Sequence, residues 1–203
     1  MTQVFRLKIL MLLVLCAACA LAQSDDDNAA AIRREHWVTG VLVSGGSGLV
    51  DRTNVQFVRA GFRVGRVLTG ELGKGAGRGT FELDAEIMPV DYVLWRGYGE
   101  VYGFSVSPVV MKWNFTGCGH KTIPYILAQG GMLHTKVKIP PRNTSTVNFV
   151  TGPGVGFNHF LKPGRSVNFD VRATHLSNGS LGDHNPGVNA SLQVSVGYNW
   201  WKQ

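Results

Sequence analysis

The chain has 203 residues and a formal net charge of +7, with 44% hydrophobic and 16% charged residues. That balance excludes a disordered, charge-dominated chain and suits one folded domain. Three cysteines are too few for a disulfide scaffold. The excess of basic residues fits contact with anionic lipid, but no compact Lys/Arg block occurs and no nucleic-acid partner is expected.

The N-terminus reads as an export signal. Arg6 and Lys8 precede an apolar run from Ile9 to about Ala20, and Ala20-Leu21-Ala22 is a small-x-small cleavage site before Gln23. The run is too short for a membrane-spanning helix, which needs about 20 apolar residues. A lipoprotein would use Cys19, but Cys16 stands where such sites usually carry Leu. Residues 1–22 are therefore expected to be a signal peptide, and taking 22 from 203 leaves 181. Losing Arg6 and Lys8 lowers the net charge from +7 to +5. Cys118 is then the one cysteine left, so no intramolecular disulfide is expected. Residues 23–35, with Asp25-Asp26-Asp27, read as a flexible N-terminal segment, and residues 36–203 as the folded domain. No later run is apolar enough for a helix span. Membrane insertion would require a closed barrel, because every backbone polar group needs a partner in lipid.

From His36 onward the dominant period is two. A first strand is expected at about Trp37–Ser44, ended by Gly45-Gly46-Ser47-Gly48. The second, about Asn54–Leu68, sets Val58, Ala60, Phe62 and Val64 against Arg59, Gly61, Arg63 and Gly65. In the third, Phe81, Leu83, Ala85 and Ile87 alternate with Glu82, Asp84 and Glu86. The fourth, about Val101–Asn114, opposes Tyr102, Phe104, Val106 and Val110 to Gly103, Ser105 and Ser107. The fifth, about Thr122–Leu133, alternates poorly. The sixth, about Val147–Leu161, carries Gly152, Gly154 and Gly156 on its inner parity. The seventh is Ser166–Leu176 and the eighth about Ala190–Trp201.

Eight segments, seven of them alternating in some form, with aromatics near their ends (Trp37, Trp95, Tyr98, Trp113, Trp200, Trp201) describe an all-β, eight-stranded antiparallel outer-membrane β-barrel. The rival is a soluble lipocalin-like barrel binding small apolar ligands, whose apolar face points inward. Charge decides between them: Arg59 and Arg63 face Glu82, Asp84 and Glu86 from neighbouring strands and can pair inside a filled barrel.

The seventh strand carries the chemistry. His175 and Ser177 are two apart and share a face with Phe169, Val171 and Ala173, whereas Asn168, Asp170, Arg172 and Thr174 take the other. A histidine beside a serine can activate the hydroxyl as a nucleophile. Here the pair extends the apolar side of the strand, where a lipid ester can reach it. Cys118 and His120 make a weak metal pair, and neither a metal nor a cofactor is expected.

His175-Leu-Ser177-Asn178, followed after a loop by Asn185-Pro-Gly187-Val-Asn189, resembles the signature of the outer-membrane lipid A deacylases of the PagL type. The resemblance covers about fifteen residues and implies hydrolysis of the ester that holds the 3-position acyl chain of lipid A. The substrate would be lipid A of lipopolysaccharide in the outer leaflet. Carried over, Ser177 is the nucleophile and His175 the general base, with Asn178, the backbone amide of Ser180, and Asn185 as oxyanion and supporting groups. The family's glutamate falls at Asn189, which can orient the imidazole but cannot balance its charge, so impaired activity is expected. Asn189 also has the inward parity of Ser191 and Gln193, and needs a turn or a bulge to reach His175. Asp183 could serve instead as a substitute acid, whereas Asp183 and His184 otherwise read as solvated turn residues. A non-catalytic outer-membrane barrel with a degenerate site is the competing function. Oligomeric state is not legible.

Overall fold

A computed structural model describes residues 30–33, 36–49, 53–118, 121–139, 144–182, 184 and 188–202. Eight antiparallel strands follow in chain order: β1 (Trp37–Gly48), β2 (Val55–Val67), β3 (Thr80–Trp95), β4 (Gly99–Asn114), β5 (Thr122–Ile139), β6 (Ser145–Lys162), β7 (Arg165–Ser177) and β8 (Val188–Lys202). Each pairs with its chain neighbours, and β1 closes on β8 from Trp37↔Lys202 to Gly48↔Ser191. The closed sheet has no free edge, so its backbone groups are satisfied without water.

The wall is apolar outside and polar inside. Val43, Phe62, Ile87, Val90 and Val196 are each about half exposed, while Arg63, Glu82, Glu86, Asp170 and Arg172 are buried. A lipocalin-like reading requires the reverse and is excluded. The ion pairs expected between β2 and β3 form: Arg63 Nη2 lies 2.6 Å from Glu86 and Arg63 Nε 3.4 Å from Asp84. Arg59 meets Asp91 at 2.9 Å. Arg172 joins them from β7, donating to Glu86 at 2.8 Å, Asp170 at 2.8 Å and Gln129 at 2.6 Å. Lys112 bridges Glu82 and Asp84. Buried charges persist where partners saturate them, and removing one partner is costly. The inner parity expected for Gly154 and Gly156 is observed. A Cβ on Gly156 would press on Asp170 and the Tyr125 ring, so these glycines make the space that Arg172 and Tyr125 fill.

Apolar plugs close the interior at both ends. Phe57, Val93, Trp95, Leu133, Ile139 and Val150 pack at the end bearing the β7–β8 loop, with Leu176 against them. At the opposite end Ile32, on a 3-10 turn at Ala30–Arg33, packs with Val38, Val67, Ile123, Phe160 and Trp201.

Several expectations need correction. Gly45–Gly48 continues β1, because β2 and β8 both keep their register with it to Ser47. β5 runs on to Ile139, and β3 reaches Trp95. Val110 points inward, because a register shift between Val106 and Val109 inverts the parity of the rest of β4. Trp95 and Trp201 belong to the two plugs, 2% and 4% exposed, and not to an outer aromatic girdle. Trp201 donates to Ser166 Oγ at 3.0 Å and its ring lies tilted against that of Phe160, the centroids 5.6 Å apart, which explains its inward turn. Trp37 and Tyr98 are exposed as expected.

Candidate active site

The alternation of β7 is fixed by what its inner residues hold. Asn168, Asp170, Arg172 and Thr174 are buried, and Thr174 Oγ1 and Ser191 Oγ of β8 share a hydrogen bond. Leu176 is drawn into the apolar plug. With Thr174 and Leu176 pinned inward, Phe169, Val171, Ala173, His175 and Ser177 turn to the outer wall, each half-buried among its neighbours. Phe169 stacks on Phe157 of β6, the ring centroids 5.8 Å apart.

Both neighbouring strands shape the tip. On β6, Phe149 lies opposite Ser177 and Thr151 opposite His175. The Phe149 ring is exposed and flanks the serine. Gly179, at φ +58°, sits against that ring, and a Cβ there would stand 2.9 Å from it. Conformation and space both demand glycine at this turn. On β8 the register slips by one: Thr174 pairs with Ser191, but Leu176 pairs with Val188. Two residues of β8, Asn189 and Ala190, therefore oppose His175 alone, which is the count of a β-bulge. The register shift therefore falls at His175. The side chain of Asn189, and Asp183 and Asn185 entirely, lie outside the described residues.

The β7–β8 loop is held by Asn178. This side chain is 2% exposed and has the inner parity, opposite to Ser177. Its Nδ2 donates to the His184 carbonyl at 2.8 Å, and its Oδ1 accepts from the Ser180 backbone N–H at 2.9 Å. Leu181 N–H donates to the Asn178 carbonyl at 3.0 Å. Ser180 is the one non-glycine residue with positive φ among those described, at 64°. The two groups carried over as oxyanion donors are thus engaged with each other in this arrangement. His184 is exposed at the turn. The alternation of β6 puts Phe149 and Thr151 on one parity, and only the strand register sets them opposite Ser177 and His175.

Cys118 lies at the opposite end of the barrel, its thiol 3.6 Å from the Ala76 carbonyl, and His120 is outside the described residues. No group of three potential metal ligands occurs among the described residues.

An outer-membrane barrel with a histidine and a serine on its lipid-facing wall is the class that fold and site define. The family model for lipid A 3-O-deacylase (PagL) matches residues 73–199, and the chain belongs to that family. The crystal structure of the outer-membrane enzyme PagL is 20% identical, with a TM-score of 0.47, covering 79% of this chain and 98% of that one. The N-terminal β-barrel domain of Pseudomonas aeruginosa OprF is 12% identical, with a TM-score of 0.49, covering 82% of this chain and 100% of that one. OprG from Pseudomonas aeruginosa is also 12% identical, with a TM-score of 0.44, covering 83% and 96%. No curated protein matches the chain. Family and fold together indicate an outer-membrane location and a hydrolase of the lipid A deacylase type.

Proposed function

We propose that the protein hydrolyses the ester holding the 3-position acyl chain of lipid A, with Ser177 as nucleophile and His175 as general base. The observation that carries the reading is direction: the pair continues the apolar outer row Phe169–Val171–Ala173, while its inner neighbours are anchored in the barrel. A membrane-embedded acyl ester can lie against that row, whereas a water-soluble ester cannot gather there. His175 takes the proton of Ser177, the alkoxide attacks the ester carbonyl, and the sugar hydroxyl leaves with the proton returned by His175. Water then cleaves the acyl-enzyme by the reverse route, releasing the fatty acid. Exclusion of water by the lipid strengthens the electrostatic part of each step.

In this reading Asn189 orients His175 from the β8 bulge. An approaching carbonyl oxygen competes with Asn178 Oδ1 for the Ser180 N–H, and Asn185 completes the support. Export by cleavage after Ala22 delivers the chain to the outer membrane, with the β7–β8 loop at the outer leaflet where lipopolysaccharide resides. The test is mass spectrometry of lipid A from cells expressing the wild type or Ser177→Ala. The wild type alone is expected to lower the mass by one hydroxyacyl chain. Unchanged lipid A with both proteins, each folded in the outer membrane, would leave the non-catalytic barrel standing.

A further inference from the structure

The described charges are distributed unevenly along the barrel axis. Five carboxylates and four cations lie inside the barrel. The end with the β7–β8 loop carries Arg96, Lys136 and Lys138 against Glu100. The opposite end, where β1 begins and β8 finishes, carries eight lysines and arginines against one carboxylate, Glu71. Glu71 is already engaged there, 2.7 Å from Arg33 and 3.6 Å from Arg78.

Five of the six remaining cations follow the strand ends in sequence around the wall. Arg66 of β2 and Lys202 of β8 flank the exposed Trp37 in register, and the Arg66 guanidinium lies 5.6 Å from that ring's centroid. Arg165 of β7 pairs with Trp200 of β8 on one side and Lys162 of β6 on the other. Lys121, leading into β5, has its carbonyl bonded to Phe160 N–H of β6 at 2.7 Å. Strands lie about 4.8 Å apart, so this arc from β2 through β8 to β5 spans roughly 20–25 Å of membrane perimeter, the width of several lipid headgroups. Outward indole rings interleaved with cations place the arc at an interface, with rings at headgroup depth and charged tips reaching the phosphates.

We propose that this arc binds anionic phospholipid headgroups of the membrane leaflet opposite the β7–β8 loop. Its assignment to the inner leaflet rests on the orientation given by the proposed function, but the recognition itself does not. A zwitterionic headgroup offers its phosphate with a compensating ammonium, whereas a phosphatidylglycerol headgroup offers net negative charge to an end that, among the described residues, sets eight cations against one carboxylate. Each surface lysine near an anionic membrane contributes about fivefold in affinity, and salt screens the effect.

The probe is phosphatidylglycerol, measured against phosphatidylethanolamine of the same acyl chains by native mass spectrometry of the folded protein released from mixed micelles. Wild type is expected to retain phosphatidylglycerol preferentially. Lys162→Gln combined with Lys202→Gln is expected to cut the preference about 25-fold, and raised salt in the loading buffer to reduce it in the wild type. The pair Lys136→Gln and Lys138→Gln at the other rim should leave it unchanged. Equal retention of the two lipids by the wild type, or a loss produced equally by both lysine pairs, overturns the proposal. Ser177→Ala separates the readings, since it should abolish ester hydrolysis and leave lipid retention intact.

Discussion

Arg172 and His175 stand three residues apart on β7 and occupy opposite media. The guanidinium is fully buried and saturated by Glu86, Asp170 and Gln129. The imidazole is on the outer wall, in line with Val171 and Phe169. Inside, ionic side chains spend their chemistry on one another. Outside, the same strand presents reactive groups to whatever the bilayer brings. The difference teaches that the barrel wall separates two environments: the inner face fixes position, and the outer face carries the two groups to which the proposed chemistry is assigned.

The separation breaks most completely at the hydroxyl. Ser177→Ala should lower ester hydrolysis by about three orders of magnitude or more, with unfolding in urea changed by less than about 0.5 kcal/mol. Arg172→Ala should do the opposite. It leaves Glu86 and Asp170 buried with Arg63 as their one remaining shared cation, and is expected to cost about 3–5 kcal/mol in the same unfolding experiment. Whatever fraction folds should keep its turnover number. A loss of turnover in folded protein would show that the inner face takes part in catalysis.

Much of this division was legible beforehand. Strict alternation in Phe81–Ile87 and Phe169–Thr174 told inner from outer, because one face of each strand is charged and the other cannot be. The same parity put His175 and Ser177 on the outer face, where β7 carries them. What parity could not give was the place where it changes. The shift between Val106 and Val109 reverses Val110, and the slip between Thr174 and Leu176 sets Asn189 and Ala190 against His175. A bulge is one unpaired residue, and no local composition announces it. Trp95 and Trp201 misled for a related reason. An indole at a strand end serves an interface or a plug equally well, and only the partners decide, here Ser166 and Phe160 for Trp201.

The next substitution sharpens the outer side. Asn189→Glu supplies a charged orienter at the bulge, and a gain of about tenfold or more in hydrolysis is expected. No gain in a folded variant would pass that role to another residue, Asp183 first. A smaller effect is expected at Ser180. Its φ of 64° favours glycine, so Ser180→Gly should raise stability by about 0.5–1 kcal/mol while hydrolysis stays within twofold.

The smallest effect lies at the far end. Burial opposes ionisation of Glu71, but the hydrogen bond from Thr116 and the charges of Arg33 and Arg78 outweigh it and hold its carboxyl below the usual range. A folded-state pKa below the unfolded one stabilises above the unfolded value and is lost as pH falls through the folded value. Acid should therefore loosen the wild-type barrel slightly more than Glu71→Gln, read as the shift in urea midpoint on going from neutral to acidic pH.

The account turns on whether the outward serine cleaves a lipid ester. Purified protein, folded in detergent and mixed with lipid A, gives the most direct reading: release of free 3-hydroxy fatty acid over time, wild type beside Ser177→Ala. Stoichiometric release of one such acid per lipid A by the wild type, and none by the variant, is predicted. Equal release by both proteins, or release by neither while the barrel is folded, would contradict it.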